Sequence, residues 1–204
     1  MSDTDSTRAA RADLAFMREL AEDRGPLPWQ LGAHMVALGG TFGLNLIYTW
    51  AGLRGFVPWP EGEWNTWAWA PATVAYLPLV VWLTWRGKRE SQGPASRAFA
   101  AAWSGVGAMT AVVLSSLIIA TYTTGENHFR VWPSLAMALY GGAWMAFSVA
   151  QRRHWGIGVA IGCFASALAC SGLIGTPEHW LAIGLGSLLF MAAPGIAMLR
   201  GRRR

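Results

Sequence analysis

Residues 155–177 carry no charged side chain. The stretch 154–175, HWGIGVAIGCFASALACSGLIG, is long enough to cross a hydrocarbon core, which takes roughly 20 apolar residues. Gly158, Gly162, Ser166 and Cys170 recur at every fourth residue and predict a groove of small side chains along one side of that helix. Such helix-packing grooves let neighbours approach closely in lipid, where packing stands in for the hydrophobic drive. Similar segments recur along the whole chain, so a transmembrane helix is expected here rather than a buried helix of a soluble domain.

Six such spans are expected, near 31–53, 66–85, 98–122, 131–150, 154–174 and 177–199. Composition agrees: 13% of residues are charged, where soluble domains carry about 25%, and Gly and Trp are abundant. The fold class expected is therefore all-α, an integral membrane bundle of six transmembrane helices. A net charge of +5 would ordinarily raise nucleic acid as a partner. Here the basic residues cluster in the connections, so topology accounts for them and no nucleic acid is expected. Arg86, Lys88, Arg89 and Arg97 lie between the second and third spans, and Arg152 and Arg153 between the fourth and fifth. Arg200 and Arg202 to Arg204 form a basic tail, 200–204. The opposite connections hold only Arg54 and Arg130, beside Glu61, Glu63, Glu126 and Glu178. The positive-inside rule then puts both termini in the cytoplasm of a bacterial inner membrane.

Residues 1–30 precede the first span and are polar and mixed in charge, without the short apolar core of a cleaved leader. Leu14, Met17, Leu20 and Ala21 share one helical face, which predicts a cytoplasmic amphipathic helix lying on the membrane or docking a partner. Trp50, Trp59, Trp64, Trp67 and Trp69, with Trp132 and Trp180, suit an aromatic belt at one interface; a Trp-lined vestibule is the other reading. Pro71, Pro78 and Pro194 predict local bends. Pro133 and Pro177 stand at helix starts, with Thr176 as a candidate side-chain cap. Cys163 and Cys170 share one span and stand about 10 Å apart along its axis, too far for a disulfide.

Two constellations are candidates for chemistry. His34, Thr41, Asn45 and Tyr48 fall on one face of the first span and could line a ligand cavity; interhelical hydrogen bonding is the plainer reading. Asn45, near mid-membrane, should turn that face into the bundle. Glu126, His128, Glu178 and His179 are donors of the kind that hold Zn²⁺, but they come from separate loops without a close motif, so no metal is expected. No Asp, Glu, Lys or Arg lies in the middle of any span, which argues against proton-coupled pumps, voltage sensors and retinal proteins. No phosphate loop or Ser-His-Asp pattern is present, so catalysis is not expected.

The opening ADLAFMRELAEDRG, leading into a Gly-rich first span, resembles a family of small bacterial polytopic inner-membrane proteins with no assigned activity. The resemblance covers residues 12 to about 50 and implies location alone. The function expected is that of a non-catalytic scaffold, accessory subunit or signalling partner, with a small-molecule channel or carrier as the alternative. Bound lipid, a protein partner or a homo-oligomer are the associations this implies, with no cofactor.

Overall fold

A computed structural model describes residues 29–58, 70–87 and 94–201. The helices are α1 (Trp29–Leu53), α2 (Ala70–Gly87), α3 (Pro94–Thr124), α4 (Trp132–Ala150), α5 (Trp155–Gly172), α6 (Glu178–Ser187) and α7 (Ala193–Gly201). A 3-10 turn, His128–Val131, precedes α4, and a π-helical turn, Leu188–Ala192, joins α6 to α7 into one continuous rod. Among the described residues there is no strand, and six rods stand where six apolar segments were expected. Four helices are long and apolar enough to cross a membrane: Trp29–Leu53, Trp103–Thr124, Trp155–Gly172 and Glu178–Arg200. Proline and aromatic side chains dilute the apolar content of α2 and α4, which have 18 and 19 residues. The amphipathic face of Leu14, Met17, Leu20 and Ala21 lies outside the described residues.

Local chemistry sets the ends. Asn127 accepts the Phe129 N–H at 3.1 Å and starts the 3-10 turn, and Pro133 sits in the first turn of α4, where a missing N–H costs nothing. At the other end of α4, Arg152 takes a left-handed φ of 50°. Its N–H reaches the Val149 carbonyl at 3.2 Å and that of Arg153 reaches Ser148 at 2.9 Å, the Schellman pattern with arginine where glycine is usual. Thr176 does not cap α6 through its side chain. Its hydroxyl donates back to the Leu173 carbonyl at 2.9 Å, and its own carbonyl takes the His179 N–H at 3.2 Å. The π turn ends at Ala192, two residues before Pro194, whose ring in a regular α-helix would meet the carbonyl of Phe190 and which has no N–H to offer it.

The rods pack in the order α2, α1, α6–α7, α5, α4, α3, so the last rod of the chain lies between the first and the fifth. Neighbours run antiparallel. Arg54 at the end of α1 pairs with Glu178 at the start of α6, and Arg86 at the end of α2 lies 5.9 Å from the Trp29 ring at the start of α1. α1 and the last rod approach closely, backbone to backbone, and glycines make the approach. A methyl group on Gly39 would stand 2.5 Å from the Ala192 nitrogen and 2.6 Å from the Ser187 carbonyl oxygen. One on Gly195 would stand 2.7 Å from the Gly32 carbonyl oxygen, and one on Gly43 would stand 3.0 Å from that of Gly184.

Two apolar clusters fill the interior. Leu31, Met35, Trp144, Phe147, Ala160, Cys163 and Met191 form one, and Leu46, Met137, Ala167, Cys170 and Ile183 the other. Small residues dominate the helix contacts, while Leu44, Val74, Val81, Val112, Ile119 and Leu168 are exposed. Exposed apolar side chains of this size are what lipid favours and water penalises.

Candidate functional site

The polar line of α1 stays on one face but does not enter the centre of the bundle. Thr41 donates to the Ala37 carbonyl at 2.7 Å, which satisfies its hydroxyl on its own helix. The Asn45 carbonyl accepts from Thr49 at 2.9 Å, and His34 and Asn45 are half-buried. Tyr48 is 51% exposed and reaches the Pro58 carbonyl at 3.4 Å. The reason is the glycine face. Gly32, Gly39 and Gly43 take the tight interface with the last rod, which turns the polar line to the flank of α1.

On α5 the line of small residues divides. A methyl group on Gly162 would run into the Phe190 ring, Ser166 faces Gly186, and the Cys170 carbonyl accepts from His179 Nδ1 at 2.9 Å. Gly158 is exposed, with nothing within 4 Å of where its side chain would start. The residues of α5 that are buried are Gly156, Ala160, Cys163, Ala167 and Cys170.

The structure does not bring the acidic and imidazole candidates together. Glu178 pairs with Arg54, and His128 Nε2 lies 2.7 Å from the Thr124 hydroxyl. Thr124 also accepts the Glu126 backbone N–H at 3.2 Å. His179 is buried; its Nδ1 carries the proton given to Cys170, and its Nε2 has no partner among the described residues. Among the described residues no three of His, Cys, Asp and Glu gather around a common point.

What the structure does assemble is a chain of aromatic rings across α3, α4 and α5. Trp103 stacks on Tyr140 at 6.2 Å and meets Trp144 edge-on at 6.1 Å. Trp144 continues to Phe147 at 5.8 Å and to Trp155 at 5.4 Å. Edge-to-face pairs of this kind contribute roughly 0.5–1.5 kcal/mol each beyond their buried area. The Trp144 indole N–H is fully buried and finds no acceptor among the described residues. The signal was present in the sequence: Tyr140, Trp144 and Phe147 follow at steps of four and three on one face of α4.

Beside this cluster, α3 and α4 part to leave an apolar groove of about 350 Å³. Val106, Met109 and Val113 line it from α3, and Leu139, Gly142 and Ala146 from α4. Its floor is closed by the buried Val106 and Ala143, and it opens past Gly142, which is exposed.

Over the described residues the chain is all-helical, with four helices suited to crossing a membrane. No family model, no curated protein and no solved structure matches it.

Proposed function

We propose that the chain is an integral inner-membrane protein of six crossings, both termini cytoplasmic, that serves as a non-catalytic scaffold or accessory subunit of a membrane complex. One observation carries this reading. The bundle is filled along its axis by Leu46, Met137, Trp144, Phe147 and Met191, while its flanking rods α2 and α3 are open to their surroundings. Between Trp103 and Thr124 of α3 Val106 alone is buried, whereas the last rod buries His179, Ile183, Gly184, Gly186, Ser187, Met191 and Ala192. A solid centre with apolar flanks suits holding neighbours in the membrane better than conducting a solute through it.

The cytoplasmic contribution would come from the amphipathic face of Leu14, Met17, Leu20 and Ala21. Leu14→Glu with Met17→Glu destroys that face without shortening the chain. In native gels of the producing cell's membranes, the variant should fall to the size of the isolated bundle. A complex of wild-type size would sink the docking role.

The half-open polar line of α1 favours a second reading, a small-molecule carrier. In that case Asn45→Leu with Tyr48→Phe would abolish uptake or ligand binding while the bundle still folds. The scaffold reading expects the native complex to survive that pair of changes.

A further inference from the structure

We propose that His179 is an acid-sensitive latch on the corner between α5 and α6: neutral, it holds the start of α6 to the end of α5, and protonated, it lets go. Residues 173–177 make the corner, and Ile174, Gly175 and Thr176 in it are exposed. Gly175 turns it at a φ of 90°, which a glycine takes without strain. The Leu173 N–H reaches the Cys170 carbonyl at 3.2 Å, and the Thr176 N–H reaches that of Leu173 at 3.0 Å. Those bonds close the turn on itself. The His179 side chain reaches across it: from the first turn of α6 its Nδ1 donates to the Cys170 carbonyl of α5 at 2.9 Å.

A bond from Nδ1 to a carbonyl fixes the tautomer, with the proton on Nδ1 and a lone pair on Nε2. His179 is 5% exposed, and its Nε2 meets no partner among the described residues. An unmet lone pair is the lesser cost. Protonation adds a second N–H with no acceptor and a full charge removed from water, and both costs vanish once the first turn of α6 lifts and the ring is hydrated. The neighbouring groups do not offset that charge. Glu178, on the same helix, is tied to Arg54 at the end of α1. Tyr48 comes from α1 and the Cys170 thiol from α5, while the turn before α4 brings His128 and Arg130. From Trp132 to Leu139, α4 brings no titratable group. In the orientation proposed above the corner meets the outside medium, but the latch does not depend on that orientation and is tested on the purified protein.

The wild type carries its own reporters. Cys170 is buried in one apolar cluster with Ile183, one turn beyond His179, and Cys163 is buried in the other cluster. The full chain in mild detergent is treated with a dipyridyl disulfide, which still accepts thiols in mild acid, and the two cysteines are read separately by peptide mass spectrometry. As the pH falls across the ordinary imidazole range, from about 7.5 to about 5.5, modification of Cys170 relative to Cys163 should rise roughly tenfold. His179→Asn keeps a donor near the position of Nδ1 and does not titrate, so it should flatten that rise. Glu178→Gln should preserve it. A constant ratio in the wild type would overturn the latch, and so would a fall. Either is the result expected if a carboxylate from outside the described residues, Glu61 or Glu63, sits on Nε2 and welcomes the proton. Cys163 rising in step with Cys170 would also overturn it, since the whole bundle would then be opening, as would an unchanged rise in His179→Asn or its loss in Glu178→Gln.

Discussion

Gly39 and Gly40 are adjacent, chemically identical, and held to different standards by what faces them. A methyl group on Gly39 would meet the Ala192 nitrogen, the Ser187 carbonyl oxygen and Met191 Cβ within 2.8 Å. Two of the three are backbone atoms, which yield only if a whole rod moves. Gly40 has nothing within 4 Å. We expect Gly39→Ala to cost about 1–3 kcal/mol, in the range of core overpacking. Gly40→Ala should be neutral or gain about 0.5–1 kcal/mol, because alanine loses less backbone freedom in a helix. Unfolding of the two variants in mixed detergent measures the difference. Equal stability of the two would mean that α1 does not approach the π turn as closely as the structure has it. The Arg54–Glu178 pair is a contrasting case: both side chains are more than a third exposed, so water and salt screen it and it contributes at most about 1 kcal/mol.

At the scale of the element, α5 shows why a stripe of every fourth residue meets its neighbours at Gly162, Ser166 and Cys170 but not at Gly158. A step of four residues overshoots the helical turn by about 40°, so three such steps carry Gly158 about 120° away from Cys170. Steps of four and three alternate to stay on one side, and the buried set from Gly156 to Cys170 does this. Gly162→Leu should therefore destabilise the bundle, since its side chain enters the Phe190 ring, while Gly158→Leu should leave melting unchanged. Loss of stability in Gly158→Leu would place that glycine against another copy of the chain. The number and approximate ends of the rods were legible because length and apolarity are properties of a segment by itself. Which rods touch was not, because Gly32, Gly39 and Gly43 advertise a close neighbour without naming it. The polar line of α1 misled for the same reason: His34, Thr41, Asn45 and Tyr48 do share a face, but the glycines decided which face turned inward. The α3–α4 groove lies further still from the sequence, since it depends on the angle at which two helices part.

The described residues are polarised along the length of the bundle. Arg86, Arg152, Arg153 and Arg200 stand at one end, and Glu126 and Glu178 at the other with Arg54 and Arg130, Arg54 being tied to Glu178. Antiparallel packing makes this a property of the fold rather than of any one connection, because each successive turn of the chain returns to the end its charge prefers. The positive-inside rule predicts that the arginine end faces the cytoplasm, and the two native cysteines make this simple to check. Cys163 and Cys170 are both buried in the bundle and should contribute little background to an impermeant thiol reagent. A cysteine introduced at Gly93, in the connection between α2 and α3, should resist that reagent in intact cells and react once the cells are opened. One introduced at Gly62, in the connection between α1 and α2, should react in intact cells. The reverse pattern would invert the molecule in the membrane. Labelling of both positions in intact cells would mean that the segment between them does not cross, and α2 would then lie outside the membrane altogether.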